Sequence, residues 1–389
     1  MIDYSSLLSQ KVINIKPSGI RRFFDIANEM DNVISLGVGE PDFRTPWAIR
    51  HAGIVSLEKG HTWYTANAGL AELRTEITKY LERRFHLSYH SKDEILVTVG
   101  GSEAIDILIR ACIEPGDEVL IPEPSFVCYS PITTLTGGVP VPIETKAEDG
   151  FRLTAQALKE KITPRTKLLI FPFPNNPTGA VMRREHLEEI AKVLQDTNIL
   201  VLSDEIYAEL TYGSEPHVSI ASIPGMQERT VVVNGFSKAY AMTGWRLGYA
   251  AGPAPIIKQM TKVHQFAIMC APTTSQYAAV EAMRSCDEEI QKMKSEYDMR
   301  RHLIVDGLNR MGLTCFNPEG AFYVFPSIKI TGLSSEDFCQ KLLYAQRVAV
   351  VPGNAFGDSG EGHVRISYSY SIDHIMESLK RIEAFLKTL

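Results

Sequence analysis

Short apolar runs alternate with segments of helical periodicity along most of this chain. Residues 95–99, 118–121, 139–143, 167–171 and 199–202 have the length of buried strands. Between them, patterns from Ser102 onward, near 126–135, over 154–161 and over 184–195 repeat at helical spacing. The alternation predicts an α/β fold with a mainly parallel sheet and helices on both faces, because parallel neighbours need a long crossover and its helix covers the sheet. Residues 230–234 and 246–250 add two strands. Upstream, Thr45-Pro46 is an N-cap followed by a proline at the first helical position; it opens a helix over 47–59 that Gly60 closes, and a second helix spans about 70–84. Residues 1–45 carry no long periodic helix and include Pro17-Ser18-Gly19, which predicts an arm and a loop.

The C-terminal part reads differently. Residues 281–311 form a long charged amphipathic segment, and 313–389 mix strands at 322–325, 348–351 and 364–368 with two helices. That mix predicts a smaller α+β domain with a boundary near residue 285. A length of 389 residues agrees with two domains at roughly 150 residues each. The expected division is an arm and small-domain segment over 1–45, a large domain over 46–285 and a small domain over 286–389.

Composition narrows the functional classes. With 44% apolar and 22% charged residues, the chain is neither a disordered tail, a collagen nor a coiled coil. A net charge of −6 provides no diffuse basic surface, so no nucleic-acid partner is expected. The six cysteines are widely spaced, with no C-x-x-C pair or zinc spacing; they read as reduced core thiols, and no metal site is expected. The N-terminus lacks the basic start and apolar run of a signal peptide, and no apolar stretch reaches membrane-spanning length, so the expected location is cytoplasmic, with no membrane partner.

Open parallel sheets bind ligands beyond the carboxyl ends of their strands. After 95–99 stands Gly100-Gly101-Ser102-Glu103-Ala104, a turn into a helix whose free N–H groups suit a phosphate-like anion, although a tight turn of this kind needs glycine in any case. Gly37-Val38-Gly39 opens like a dinucleotide fingerprint, but Asp42 occupies the place of the third glycine, and that reading is rejected. After 167–171, the breaker-rich segment Pro172-Phe173-Pro174-Asn175-Asn176-Pro177-Thr178-Gly179 forms a rigid loop in which Asn176 is either a donor to a ligand or a turn former. Ser203-Asp204-Glu205 and Tyr207 place a carboxylate at a strand end, where it needs a cation or N–H partner unless it only caps a turn. Lys238 follows an apolar strand in a loop of small and aromatic residues. Desolvation and a nearby cation lower an amine's pKa and free its lone pair, as a Schiff-base lysine requires. Arg246 can supply that cation and clamp a phosphate with its planar fork. By itself Lys238 would pass for a solvated surface charge.

Four motifs then occur in order: Asn175-Asn176-Pro177-Thr178-Gly179; Ser203-Asp204-Glu205-Ile206-Tyr207; Ser237-Lys238 with Thr243-Gly244-Trp245-Arg246-Leu247-Gly248; and Val364-Arg365-Ile366-Ser367. Together they resemble the motif series of the class I/II (fold-type I) pyridoxal-phosphate-dependent aminotransferases, and the similarity runs from about Lys16 to the C-terminus. The resemblance implies the fold-type I architecture, the cofactor pyridoxal 5'-phosphate, and transfer of an α-amino group from an L-amino acid to a 2-oxo acid such as 2-oxoglutarate. It gives Lys238 the internal aldimine and the proton transfer at the substrate's α-carbon. Asp204 would pair with the protonated pyridine nitrogen. Tyr207 and Asn176 would bond the ring's phenolic oxygen, and Phe126 would stack on the ring, where the family often carries tryptophan or tyrosine. Gly101, Ser102, Ser237 and Arg246 would bind the phosphate. Arg365, otherwise a surface arginine on a strand, matches the arginine that grips the substrate's α-carboxylate, with Asn176 and the Gly39 N–H beside it. Tyr64 matches a tyrosine passed across a dimer interface to the neighbouring phosphate, which implies a homodimer with shared active sites.

Two alternatives stay in view. A carbon-sulfur β-lyase uses the same motifs and differs in its products. A non-catalytic pyridoxal-phosphate-binding regulator carries an added DNA-binding domain, and no basic segment of that size precedes Lys16. Ser102 stands where an aspartate-selective branch has lysine, which argues against strict aspartate specificity. Arg21 and Arg22 sit on an arm that in relatives folds over the pocket and could serve an acidic side chain. The chain as a whole is similar to Bacillus-type aspartate, aromatic and N-acetyl-diaminopimelate aminotransferases.

Overall fold

The computed structural model describes residues 2, 4–16 and 30–389; Arg21 and Arg22 lie outside the described residues. After a short strand β1 (Ile34–Ser35), seven strands build the main sheet: β2 (Ile95–Thr98), β3 (Glu118–Glu123), β4 (Val139–Glu144), β5 (Thr166–Phe171), β6 (Leu200–Asp204), β7 (Thr230–Gly235) and β8 (Gly248–Ala251). Their spatial order is β2-β8-β7-β6-β5-β3-β4. Every pair from β4 to β7 is parallel, and β8 is antiparallel to both its neighbours. The loop from β7 to β8 holds only a 3-10 turn at Thr243–Trp245 and no crossover helix, so the chain returns in the opposite sense. The central strand β7 is buried at every position, as expected of a strand covered on both faces, and so is β2 at one end of the sheet. β4 is the other edge, half exposed, and it carries Pro140 and Pro142, because the N–H groups that proline lacks are not all needed at an edge.

Four further strands follow: β9 (Tyr323–Val324), β10 (Val348–Ala349), β11 (Val351–Pro352) and β12 (Val364–Ser367). β11, β12 and β9 form an antiparallel sheet, while β10 pairs in parallel with β1. The run 348–351, expected as one strand, therefore divides between two sheets. The segment 281–311 also divides. Helix Thr273–Ser285 ends at Cys286, whose backbone leaves helical geometry, and helix Asp287–Arg310 begins with three acidic residues that favour its N-terminal dipole. The helix expected near 126–135 starts only at Tyr129, because the preceding loop is drawn elsewhere: the Ser125 N–H bonds the Phe356 carbonyl and the Asn175 amide bonds the Pro124 carbonyl. Helix Ala155–Lys161 begins where expected, with the Thr154 hydroxyl accepting from the Ala157 N–H. One apolar cluster joins Leu36, Tyr207 and Leu210 to Tyr297, Phe322, Tyr323 and Ile366, so residues beyond the main sheet's strand ends pack directly on the C-terminal part. Among the described residues no helix is long and apolar enough to cross a membrane.

Candidate active site

A cavity of about 400 Å³ opens beyond the carboxyl ends of β5, β6 and β7, within the size range of small-molecule sites. Local structure delivers its walls. Asp204 is the last residue of β6, Ser237 and Lys238 follow β7 directly, and Gly101 and Ser102 begin the helix Gly101–Cys112 after β2. Phe126, Asn176, Tyr207 and Arg246 come from the loops beside them, Gly39 from the loop after β1, and Arg365 from β12. All of these line the cavity. Tyr64 does not: it is 77% exposed on the surface of the chain.

Lys238 donates to the Gly39 carbonyl at 2.5 Å, and its Nζ lies 5.6 Å from the rings of both Tyr207 and Phe322. Burial is the main force on its amine, followed by the charge of Arg365; with Arg246 they push its pKa down to about 8 against the pull of Glu40 and Asp204. The expected cation near this lysine is therefore chiefly Arg365, with Arg246 the lesser contributor. The Gly39 carbonyl receives Lys238. Glycine is required here because a Cβ would stand 2.3 Å from the Tyr323 hydroxyl.

Asp204 is 7% exposed, and burial pushes its carboxyl up to about 6. Its partners are the Tyr129 hydroxyl, donating at 2.7 Å, and the Ile206 N–H at 3.2 Å. Those donors only partly offset the desolvation, and the acid faces a cavity wide enough for a ligand cation. Tyr207 shares a hydrogen bond of 2.8 Å with Tyr323, and burial drives its phenol well above the ordinary range. Arg365 donates from Nη1 to Asn176 Oδ1 at 2.9 Å and from Nη2 to the Gly37 carbonyl, while its Nε has no partner among the described residues. Its guanidinium lies between the rings of Tyr323 at 4.5 Å and Phe356 at 4.9 Å. Burial lowers its pKa without discharging it.

At the other end, Gly100 turns with φ +78°, and a Cβ there would meet the Arg246 guanidinium at 2.7 Å. Arg246 donates to the Thr243 carbonyl at 2.9 Å and is exposed at the rim. A helix start, Ser102, Ser237 and an arginine fork thus face one another, which suits a phosphate. The donor set fits a planar ring that carries a basic nitrogen toward Asp204 and a phosphate toward Arg246, with Lys238 beside it.

Four contributors were not expected from the sequence. Tyr129, Tyr323, Glu40 and the Gly37 carbonyl all line the cavity. Tyr323 lies in an aromatic run indistinguishable from a core strand. Tyr129 opens the helix that Phe126 precedes, and the two rings meet edge to face at 6.0 Å.

Comparison with known proteins identifies the family. The family model described as aminotransferase class I and II matches residues 31–382. The putative aminotransferase YugH of Bacillus subtilis is 54% identical over 382 residues, covering 98% of this chain and 99% of that protein. An aspartate aminotransferase of Pyrococcus abyssi is 46% identical over 384 residues, 98% of each chain. The crystal structure of an aromatic aminotransferase from Pyrococcus horikoshii superposes with a TM-score of 0.91 at 45% identity, covering 94% of this chain and 99% of that one.

Proposed function

Because this chain belongs to the class I and II aminotransferases, enzymes that use pyridoxal 5'-phosphate to exchange amino groups between amino acids and 2-oxo acids, we propose that the cavity at Lys238 is its active site and that the residues lining it divide that work. The observation that carries the reading is a desolvated amine, Lys238, sharing one cavity with a buried acid, Asp204, and a buried arginine, Arg365. When bound, the cofactor supplies an electron sink for negative charge at the substrate's α-carbon.

Lys238 would hold the cofactor covalently and, once displaced by the substrate's amine, its Nζ would take and return the α-proton. An amine with a pKa of about 8 has a substantial neutral fraction near neutral pH, which suits it to that task. Asp204 would keep the ring nitrogen protonated, since a buried carboxyl short of a counter-charge is stabilised by a cation brought to it. Tyr207 and Asn176 would face the ring oxygen, Phe126 one ring face, and Gly101, Ser102, Ser237 and Arg246 the phosphate. Arg365 would take the α-carboxylate with its planar fork, beside Asn176 and Gly39.

The amino donor is an acidic or aromatic L-amino acid and the acceptor a 2-oxo acid such as 2-oxoglutarate, supported by the aspartate and aromatic enzymes among the relatives. The working unit is a homodimer in which Tyr64, exposed on one chain, enters the pocket of a second copy. A division into an arm, a large domain over 46–285 and a small domain over 286–389 would let the Arg365 side close on the Lys238 side; the break at Cys286 supports it. Six unpaired cysteines support a cytoplasmic setting. The test is a half-reaction panel: the pyridoxal form of the enzyme is mixed with each amino acid and the loss of yellow absorbance is followed. Aspartate or an aromatic amino acid should react fastest with formation of its 2-oxo acid, whereas release of ammonia with pyruvate would identify a lyase and refute the proposal.

A further inference from the structure

Tyr323 belongs to none of the motifs that identify the site, yet it touches both of its ends. Its hydroxyl lies 2.8 Å from that of Tyr207. Its ring forms one face of the slot that holds Arg365, 4.5 Å from the guanidinium carbon. The same hydroxyl is the atom that excludes a side chain at position 39, whose carbonyl receives Lys238. Antiparallel pairing fixes the placement, since β9 sets Tyr323 opposite Ser367 on β12, two residues beyond Arg365.

Resting on the proposed function, we propose that Tyr323 is a positioning residue that couples the substrate-carboxylate end of the site to the cofactor-oxygen end, its hydroxyl orienting the Tyr207 phenol and its ring face orienting the Arg365 guanidinium. A hydroxyl has one proton. If Tyr323 donates its proton to Tyr207, the Tyr207 proton is free to point at a ring oxygen in the cavity; without that donor, Tyr207 is a weaker donor and is free to rotate. A hydrogen bond to the ring oxygen stabilises the form in which the proton shared with the Lys238 nitrogen has left, so losing it raises the pH at which the yellow chromophore titrates. The groups facing Tyr207 are Tyr323, Arg365, Asp204 and Lys238, and among the described residues only Tyr323 hydrogen-bonds its hydroxyl. The Arg365 fork bonds two carbonyl-type partners through its Nη atoms, and the rings of Tyr323 and Phe356 lie against the guanidinium.

The test uses the loaded enzyme and two readouts, absorbance titration with pH and the separation of kcat from KM. Tyr323→Phe keeps the ring and loses the hydroxyl. It should raise the titration midpoint by about 0.4–1 pH unit, the worth of one hydrogen bond, and lower kcat by about 2- to 10-fold, with KM within about twofold of wild type. Tyr323→Leu should in addition raise KM for amino and 2-oxo acids by about 2- to 30-fold, through loss of the cation–ring contact. A Tyr207→Phe/Tyr323→Phe double variant should titrate with Tyr207→Phe alone, because both changes break one chain of bonds. A Tyr323→Phe enzyme that titrates like wild type, or a double variant whose shift is the sum of the two singles, overturns the inference even if Tyr323→Leu fails to fold. A wild-type enzyme with no pH-dependent chromophore overturns the proposed function itself and takes this inference with it.

Discussion

Asp204→Asn should stabilise the cofactor-free protein while destroying its chemistry. In the folded chain, burial lifts the Asp204 carboxyl from an ordinary 3.8 to about 6. A raised carboxyl favours the folded state in acid: the penalty is absent below about pH 3.8, grows as pH rises to 6, and is complete above it. Two pH units are worth about 3 kcal/mol, reached above pH 7, and about half of that applies at pH 5. Against this, asparagine presents one oxygen where the carboxylate accepts from both Tyr129 and Ile206, so one hydrogen bond worth about 1 kcal/mol is lost or reversed. The net expectation is a gain of about 2 kcal/mol at pH 8 that shrinks to about 0.5 kcal/mol near pH 5. Urea unfolding of both cofactor-free proteins at the two pH values measures it from the midpoints, provided the slopes match. With saturating pyridoxal phosphate the order should reverse, because only the acid holds the ring nitrogen's proton and a ligand bound to the native state adds its binding energy. An Asp204→Asn protein less stable than wild type at pH 8, or a stability difference that does not change with pH, would refute the account of a buried acid waiting for a cation.

Lys238→Ala should abolish turnover and the yellow chromophore together, and in the wild type the rate at which the cofactor-free enzyme takes up pyridoxal phosphate should rise with pH through about 8, as the amine loses its proton; full activity in the variant would end the assignment. Arg365→Ala should raise KM for amino and 2-oxo acids by about 30-fold or more, corresponding to at least 2 kcal/mol for a buried charge pair, and Arg365→Lys should recover only part of it because lysine lacks the planar fork; steady-state kinetics with an unchanged KM would remove Arg365 from the substrate role. Gly39→Ala should lower kcat/KM by about tenfold, since its Cβ would stand 2.3 Å from the Tyr323 hydroxyl, and adding Tyr323→Phe should restore part of the loss; no recovery in the double variant would place the damage elsewhere. Mixing inactive Lys238→Ala subunits with impaired Tyr64→Ala subunits should yield more activity than the two give separately, because one pocket of the hybrid combines an intact lysine with an intact tyrosine; no gain on mixing would show that Tyr64 does not cross between chains.

Much of the site is legible before any folding is considered, because strand, turn and helix start are local. Asp204 ends an apolar run, Lys238 follows one, and Gly101-Ser102 opens a helix after another, so a parallel sheet must present all three at one edge. The hydrophobic period sets the elements, and the residues that interrupt it mark the chemistry. What surrounds these groups is decided by tertiary packing. Tyr129 reaches Asp204 across 75 residues and Tyr323 reaches Tyr207 across 116, and in the sequence both are simply aromatic residues in apolar surroundings. The run at 348–351 divides because its two halves find different partners, β1 at one end of the chain and β12 near the other, a choice made by strand order rather than by propensity. The cation felt by Lys238 is likewise Arg365, brought in by β12, more than Arg246 on the neighbouring loop. The reactive groups were thus written into the linear pattern, while their protonation and aim depend on distant side chains, because desolvation and hydrogen bonding act through space and not along the chain.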